Sequence, residues 1–448
     1  MKRKFLNILL TLLLLFSGKV LHAQKRELSL AEALAMAANG NKELQVQTLE
    51  EIRYKEMTRE AQSRLLPNVS ANAAYSRYFD RQVIFLPGSF AGTDKAVQDV
   101  AVGGKNVFNG FLSLNQPLFL ENARRQKQAA VINEKIQKEK TTDLQSQLAF
   151  QISASYFNLL LMNNQLSLQQ QSLFRNTRAL EDTRALFAQG RSLKVDTLRS
   201  YIAVENLKSS ISYLRNNIEV SGIQLKRLIG LNETAEIKPT DSLNVKTDQA
   251  EFYTLDQALK TAELNRHDLK LQRLSVEQGE KRLSVSKAER LPQASIVGQY
   301  QLQAQADQLN LGSYTWPRTS FLGLQLTVPI FNGNRTSAQI NQARIKVRQE
   351  KIRLDDLQEE MNAELAAIIS RWKEANTQLN VQKTTVEAAE LSYVMMNDRY
   401  KNGLSSRLEL TDAELALTQG KINYLQAAYN IKVLHVELQR SLGLLKLQ

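Results

Sequence analysis

Apolar and aromatic side chains recur at alternating steps of four and three within residues 334–400, a stretch without proline or glycine. The series runs Met361, Leu365, Ile368, Trp372, Ala375, Leu379, then Val386, Ala389, Tyr393, Met396 and Tyr400, with Gln382 in the one missed slot. This spacing places every member on one narrow stripe of an α-helix, the seam along which helices pair lengthwise. A helix over the whole stretch would measure roughly 100 Å at 1.5 Å per residue. The stripe also appears 213 positions earlier, from Leu148, Ile152 and Leu159 through Leu173 and Leu180 to Phe187, with Gln169 in the missed slot. One long helix is present twice.

Ahead of each long helix the period changes from 3.6 to 2. Val69, Ala71, Ala73 and Tyr75 alternate with Ser70, Asn72, Ala74 and Ser76. In the second copy Ala294, Ile296, Gly298, Tyr300 and Leu302 alternate with Ser295, Val297, Gln299, Gln301 and Gln303. The pattern predicts strands at about 68–78, 107–118, 293–304 and 320–330, and long helices at about 120–187 and 334–400. Strands of about ten residues with one apolar and one polar face suit a tilted crossing of a membrane. A soluble four-stranded sheet is the other candidate, and export together with the glutamine-lined face weighs against it. About 30 loop residues separate Tyr78 from Val107.

Other punctuation repeats as well. Ser29-Leu-Ala-Glu32 and Thr254-Leu-Asp-Gln257 are capping boxes that open a helix. Leu66-Pro67 and Leu291-Pro292 end the helix before each first strand. Phe187-Ala-Gln-Gly190 and Tyr400-Lys-Asn-Gly403 end the long helices, where glycine suits the left-handed residue past a helix terminus. The chain thus divides into a first repeat at 24–230, a linker at 231–252 and a second repeat at 253–448. Four strands cannot close a barrel, and an open edge is not tolerated in lipid. The membrane part therefore needs several copies, and three would supply twelve strands.

Composition narrows the class. Only seven prolines and 7% aromatics favour helix over large globular cores. Lys2, Arg3 and Lys4 precede the apolar run Phe5–Phe16 and the small residue Ala23, so residues 1–23 read as a secretory signal peptide too short to span a bilayer. The formal charge of +13 falls to +9 when Lys2, Arg3, Lys4 and Lys19 leave. That surplus is spread along helices as a solvated face, and an exported chain does not meet nucleic acid. Cysteine is absent, which excludes disulfides and zinc–thiolate sites.

The repeated helix–strand–strand–helix unit, the Leu-Pro before each first strand, Pro117-Leu-Phe and Pro329-Ile-Phe-Asn-Gly-Asn-Arg after each second strand, and the glycine tips together resemble the TolC family of outer-membrane efflux channels. The resemblance covers nearly the whole chain after the signal. It implies a mainly α fold with a membrane β-barrel: a homotrimer whose 12-stranded β-barrel in the outer-membrane lipid continues into a 12-strut α-helical barrel in the periplasm. It further implies a passive exit duct that docks by its tips, at Gly190 and Gly403, onto a periplasmic adaptor (membrane fusion protein) fed by an inner-membrane pump. No cofactor, metal, nucleic acid or enzymatic activity is expected. A periplasmic coiled-coil adaptor or scaffold is the alternative; it should lack the four alternating strands.

Residue by residue, the resemblance makes Glu409 and Asp412 the acids that ring the periplasmic entrance. It makes Tyr400 and Asp196 partners in the closed-state link. The linking arginine expected two residues after Gly403 is Ser405 here, with Arg407 close by. Glu409 and Asp412 also share a helix face by spacing alone. Two interpretations of these acids stand at this stage: a cation-attracting ring, or acids in first helical turns that complement the dipole. The histidines after the signal, His267 and His435, have no ligand partner at helical spacing. Gly103-Gly-Lys105 lacks the spacing of a phosphate loop.

Overall fold

The computed structural model describes residues 26–90, 92–232, 236–244, 253–310, 312 and 314–447. The expected signal at 1–23 lies outside these, as do 233–235 and 245–252 of the expected linker. The helices are α1 (Leu30–Gly40), α2 (Lys42–Ser63), α3 (Glu121–Ala188), α4 (Lys194–Ile229), α5 (Leu255–Asn265), α6 (His267–Ala288), α7 (Arg335–Lys401) and α8 (Arg407–Ser441). The strands are β1 (Arg26–Leu28), β2 (Asn68–Arg77), β3 (Gln82–Pro87), β4 (Val97–Val102), β5 (Asn106–Phe119), β6 (Ile237–Pro239), β7 (Gln293–Ala306) and β8 (Arg318–Thr327). The chain forms two compact units, one from residues up to 49, 139–270 and 356–448, the other from 50–138 and 271–355.

The first unit is helical. Its core takes the stripe residues Leu148, Ile152 and Leu159 of α3, Trp372 and Leu379 of α7, and the apolar faces of α4 and α8. Around Tyr156 the arc of α3 is wider, since Phe157, Leu160 and Leu161 are buried too. Tyr156 Oη donates to Leu28 O at 2.9 Å and accepts from Asp241 N at 3.3 Å. It thereby pins the short parallel ladder of β1 and β6, a pairing too brief to leave a sequence pattern. Ser29 and Thr254 cap α1 and α5 with reciprocal bonds to Glu32 and Gln257. Gly230 and Gly443 end α4 and α8 at φ +72° each, and their missing Cβ atoms leave room for the backbones of Gly40 and Asn265.

The second unit is built on an antiparallel sheet in the order β2-β5-β7-β8. Its register places Val69 beside Leu114, Leu114 beside Gly298 and Gly298 beside Leu322, so one face is apolar across all four strands. At the loop end of that face Phe108 packs against Tyr75, Tyr314 and Trp316 at ring-centre distances of 4.7, 5.8 and 6.2 Å. Among the described residues strands β2 and β8 are unpaired outer edges of this sheet, which does not close on itself. The stretch expected as loop between Tyr78 and Val107 instead carries the hairpin of β3 and β4, paired from Gln82–Val102 to Pro87–Val97. Ile84 and Leu86 lie on one face and Val83 and Phe85 on the other, and apolar residues on both faces erase the alternation that marks a half-buried strand. Helix α2 also ends before Leu66, because Leu65 and Leu66 turn back onto Gln62 and Ser63 ahead of Pro67.

Candidate functional site

The two glycine tips share one construction. Gly190 N–H donates to Phe187 O and Arg191 N–H to Leu186 O, both at 2.9 Å; Gly403 N–H donates to Tyr400 O at 3.0 Å and Leu404 N–H to Arg399 O at 2.8 Å. With φ of +69° and +70° the glycines complete the left-handed termination of α3 and α7. The backbone then enters α4 and α8 almost at once.

Each returning helix begins with an acid at its third position. Asp196 accepts from Leu193 N–H and from Ser192 Oγ, both at 3.3 Å. Glu409 accepts from Ser406 N–H at 2.7 Å and from Ser406 Oγ at 3.1 Å, while its own N–H donates to Ser406 Oγ at 3.3 Å. This full capping box holds the Glu409 carboxyl below the usual carboxylate range, chiefly through the Ser406 N–H. Asp412 lies one turn on, exposed, and makes no hydrogen bond or ion pair among the described residues. The structure places Glu409 in a capping role and leaves Asp412 free.

Tyr400 and Arg407 come together: the guanidinium stands over the tyrosine ring, 5.7 Å from its centre. Asp196 and Arg407 line one small cleft with Asn176, Arg199 and Thr411. Asp196 makes its hydrogen bonds within its own cap, and none joins it to Tyr400 among the described residues.

Sequence reasoning passed over the best-connected residue of this region. Glu414 is 5% exposed, between two arginines. Its Oε1 lies 3.7 Å from Arg175 Nε on α3, and its Oε2 lies 3.6 Å from Arg407 Nη2. Arg175 also reaches Thr418 Oγ1 at 3.5 Å and stands over the Tyr393 ring at 5.9 Å. Burial pushes the Glu414 carboxyl up, against the opposing pull of Arg407 and Arg175. Glu414 Oε2, Arg175 Nε and Arg407 Nε are buried without a hydrogen bond, so charge rather than close bonding holds the group together. The available signal was an acid in the apolar seam of α8, between Leu410 and Leu417.

Among the described residues no group of three or more metal-ligating side chains is assembled. His267 Nδ1 lies 2.6 Å from Glu139, and the His435 ring packs 6.0 Å from that of Trp372. No helix among the described residues is long and apolar enough to cross a membrane.

The family model described as outer membrane efflux protein matches residues 33–231 and 258–444. The chain belongs to the outer membrane efflux protein family. Its relatives include the alkaline protease secretion protein AprF of Pseudomonas aeruginosa, 23% identical over 71% of this chain and 66% of AprF. Another is the outer membrane protein TolC of Escherichia coli, 22% identical over 84% of this chain and 78% of TolC. The solved CmeC outer membrane channel of Campylobacter jejuni superposes with a TM-score of 0.74 at 16% identity, over 94% of this chain and 86% of that one. Membership of this efflux family makes the chain a transport component and not an enzyme.

Proposed function

We propose that three copies of this chain assemble into a passive exit duct of a tripartite efflux or secretion system in the bacterial outer membrane. The carrying observation is the sheet β2-β5-β7-β8, apolar on one face and polar on the other, with both outer edges unpaired. In lipid every backbone donor and acceptor needs a partner. Pairing β2 of each copy with β8 of the next closes twelve strands, with the Phe108–Trp316 aromatic group at the interface and the polar face inward. A coiled-coil adaptor would have no use for such a sheet.

The repeats at 24–230 and 253–448 each contribute helical struts to a periplasmic tube, twelve in all. The tips at Gly190 and Gly403 dock to a periplasmic adaptor that an inner-membrane pump feeds. Glu409 and Asp412 ring the entrance, and Tyr400, Arg407 and Asp196 take part in holding it shut. AprF, by its name, serves secretion of a protease.

Membrane fractionation and heat-dependent migration on gels test the assembly. A heat-sensitive oligomer in outer membranes is expected, and recovery as a soluble periplasmic monomer would overturn it. Single-channel recording tests the ring: Glu409→Gln with Asp412→Asn should weaken block by multivalent cations. Unchanged block would remove these two acids from the entrance.

A further inference from the structure

We propose that the polar face of the sheet β2-β5-β7-β8 is a guide surface for uncharged oligosaccharide chains. The proposal deepens the duct interpretation and rests on it. The register carries β7 residues Gln299, Gln301, Gln303 and Gln305 along one face, beside Ser113, Phe111, Asn109 and Val107 of β5. On the other side Phe321 of β8 faces Gln299, and Thr319 faces Gln301. No charged side chain occupies this face in any of the four strands. The charged residues of these strands, Arg77 and Arg318, belong to the opposite, apolar face at the loop end.

The amides are ordered along the strand. Gln299 Nε2 donates to Gln301 Oε1 at 3.0 Å, and Gln301 Nε2 donates to Gln303 Oε1 at 3.4 Å. Each amide both donates and accepts, as a sugar hydroxyl does. Phe111 and Phe321 flank this amide row in register, on the same face of the sheet as the glutamines. Amides beside phenyl rings meet both surfaces of a pyranose, its hydroxyl rim and its C–H face. A charged chain would lose hydration here and gain no counter-charge. Polypeptides carry such charges; neutral glycans do not. The hydrogen-bonding amides and the phenyl rings therefore match the hydroxyl rim and the C–H face of a neutral glycan.

The test uses the purified full-length oligomer in planar bilayers, with maltohexaose as the neutral probe and hexagalacturonate as its charged counterpart, each added to the loop side. Maltohexaose is expected to interrupt the current, with dwell times about tenfold longer than those of hexagalacturonate, equivalent to about 1.4 kcal/mol. Phe321→Leu, which keeps an apolar side chain, should shorten the maltohexaose dwell severalfold with the open conductance retained. Normal conductance without maltohexaose interruptions, or equal dwell for both sugars, overturns the proposal. So does a basic peptide of matched length that dwells longer than the sugar, which would assign the face to polypeptide. Absence of any conductance even in a variant whose entrance contact is removed by Tyr400→Ala with Arg407→Ala would instead refute the duct itself.

Discussion

Arg175 on α3 and Glu414 on α8 approach to 3.7 Å, with the Glu414 side chain only 6% exposed. The contact joins the outgoing helix of the first repeat to the returning helix of the second. Arg407 adds a second cation, and the two guanidiniums also stand over Tyr393 and Tyr400, both near the C-terminal end of the α7 stripe. Removing one member of a buried charge group leaves the others uncompensated, typically at 3–5 kcal/mol. Here the distances are long and the arginines partly exposed, so Glu414→Ala should cost about 2–3 kcal/mol. Faster tryptic cleavage at the exposed Lys401 is the measure. Glu414→Leu combined with Arg175→Met, which replaces the pair by apolar groups, should recover part of the loss. Equal cleavage rates for Glu414→Ala and the wild type would show that the group holds nothing.

Glu409 and Asp412 separate by their contacts, since only Glu409 closes the cap of α8. The Glu409 carboxyl is held below its ordinary value of 4.5 by Ser406. A depressed carboxyl contributes stability that is present above that ordinary value and lost as the pH falls through the lowered one. Acidification below 4.5 should therefore open the first turn of α8, read as faster hydrogen exchange at amides 408–410. Glu409→Gln should flatten this dependence and keep the cap, since Gln257 fills the same role at the start of α5. Asp412→Asn should leave the exchange unchanged.

Much of this arrangement is legible in the residues, and the exceptions have physical causes. The alternating 4-3 seam and the switch to period 2 mark α3, α7 and the four long strands, because the helices bury one stripe and the strands set apolar residues on one face. Hairpin β3–β4 escapes because Val83, Ile84, Phe85 and Leu86 are apolar on both faces. The capping box at Ser406 repeats the spacing at Ser29 and was open to the same inference. Glu414 differs: its burial depends on Arg175, which comes from a distant helix, and no local pattern records that meeting.

His435 packs on Trp372, and burial, then Lys432, lower its pKa from 6.5. A histidine held neutral by the fold contributes stability that is complete above 6.5 and is lost as the pH falls from 6.5 through the lowered value. Thermal melting followed by Trp372 emission in a Trp316→Phe background should thus fall between pH 7.5 and pH 5, values set about the ordinary histidine pKa. His435→Phe should remove that dependence while keeping a ring against Trp372. Parallel pH profiles for both proteins would exclude His435 as the cause.

Gly403 and Gly443 have nearly equal φ, +70° and +72°, yet their surroundings differ. A Cβ on Gly403 would meet nothing within 4 Å, whereas one on Gly443 would overlap the backbone of Asn265 and Arg266. Gly403→Ala should cost only the left-handed backbone strain, about 1 kcal/mol. Gly443→Ala adds an overlap with backbone atoms that cannot rotate away, so its cost should exceed about 3 kcal/mol. Gly230→Ala should resemble Gly443→Ala, because its Cβ would overlap Gly40 at the matching place in the first repeat. Denaturant melts of the three variants in detergent should rank Gly403→Ala closest to wild type. A Gly443→Ala protein as stable as Gly403→Ala would mean that the α5 and α8 ends part without loss.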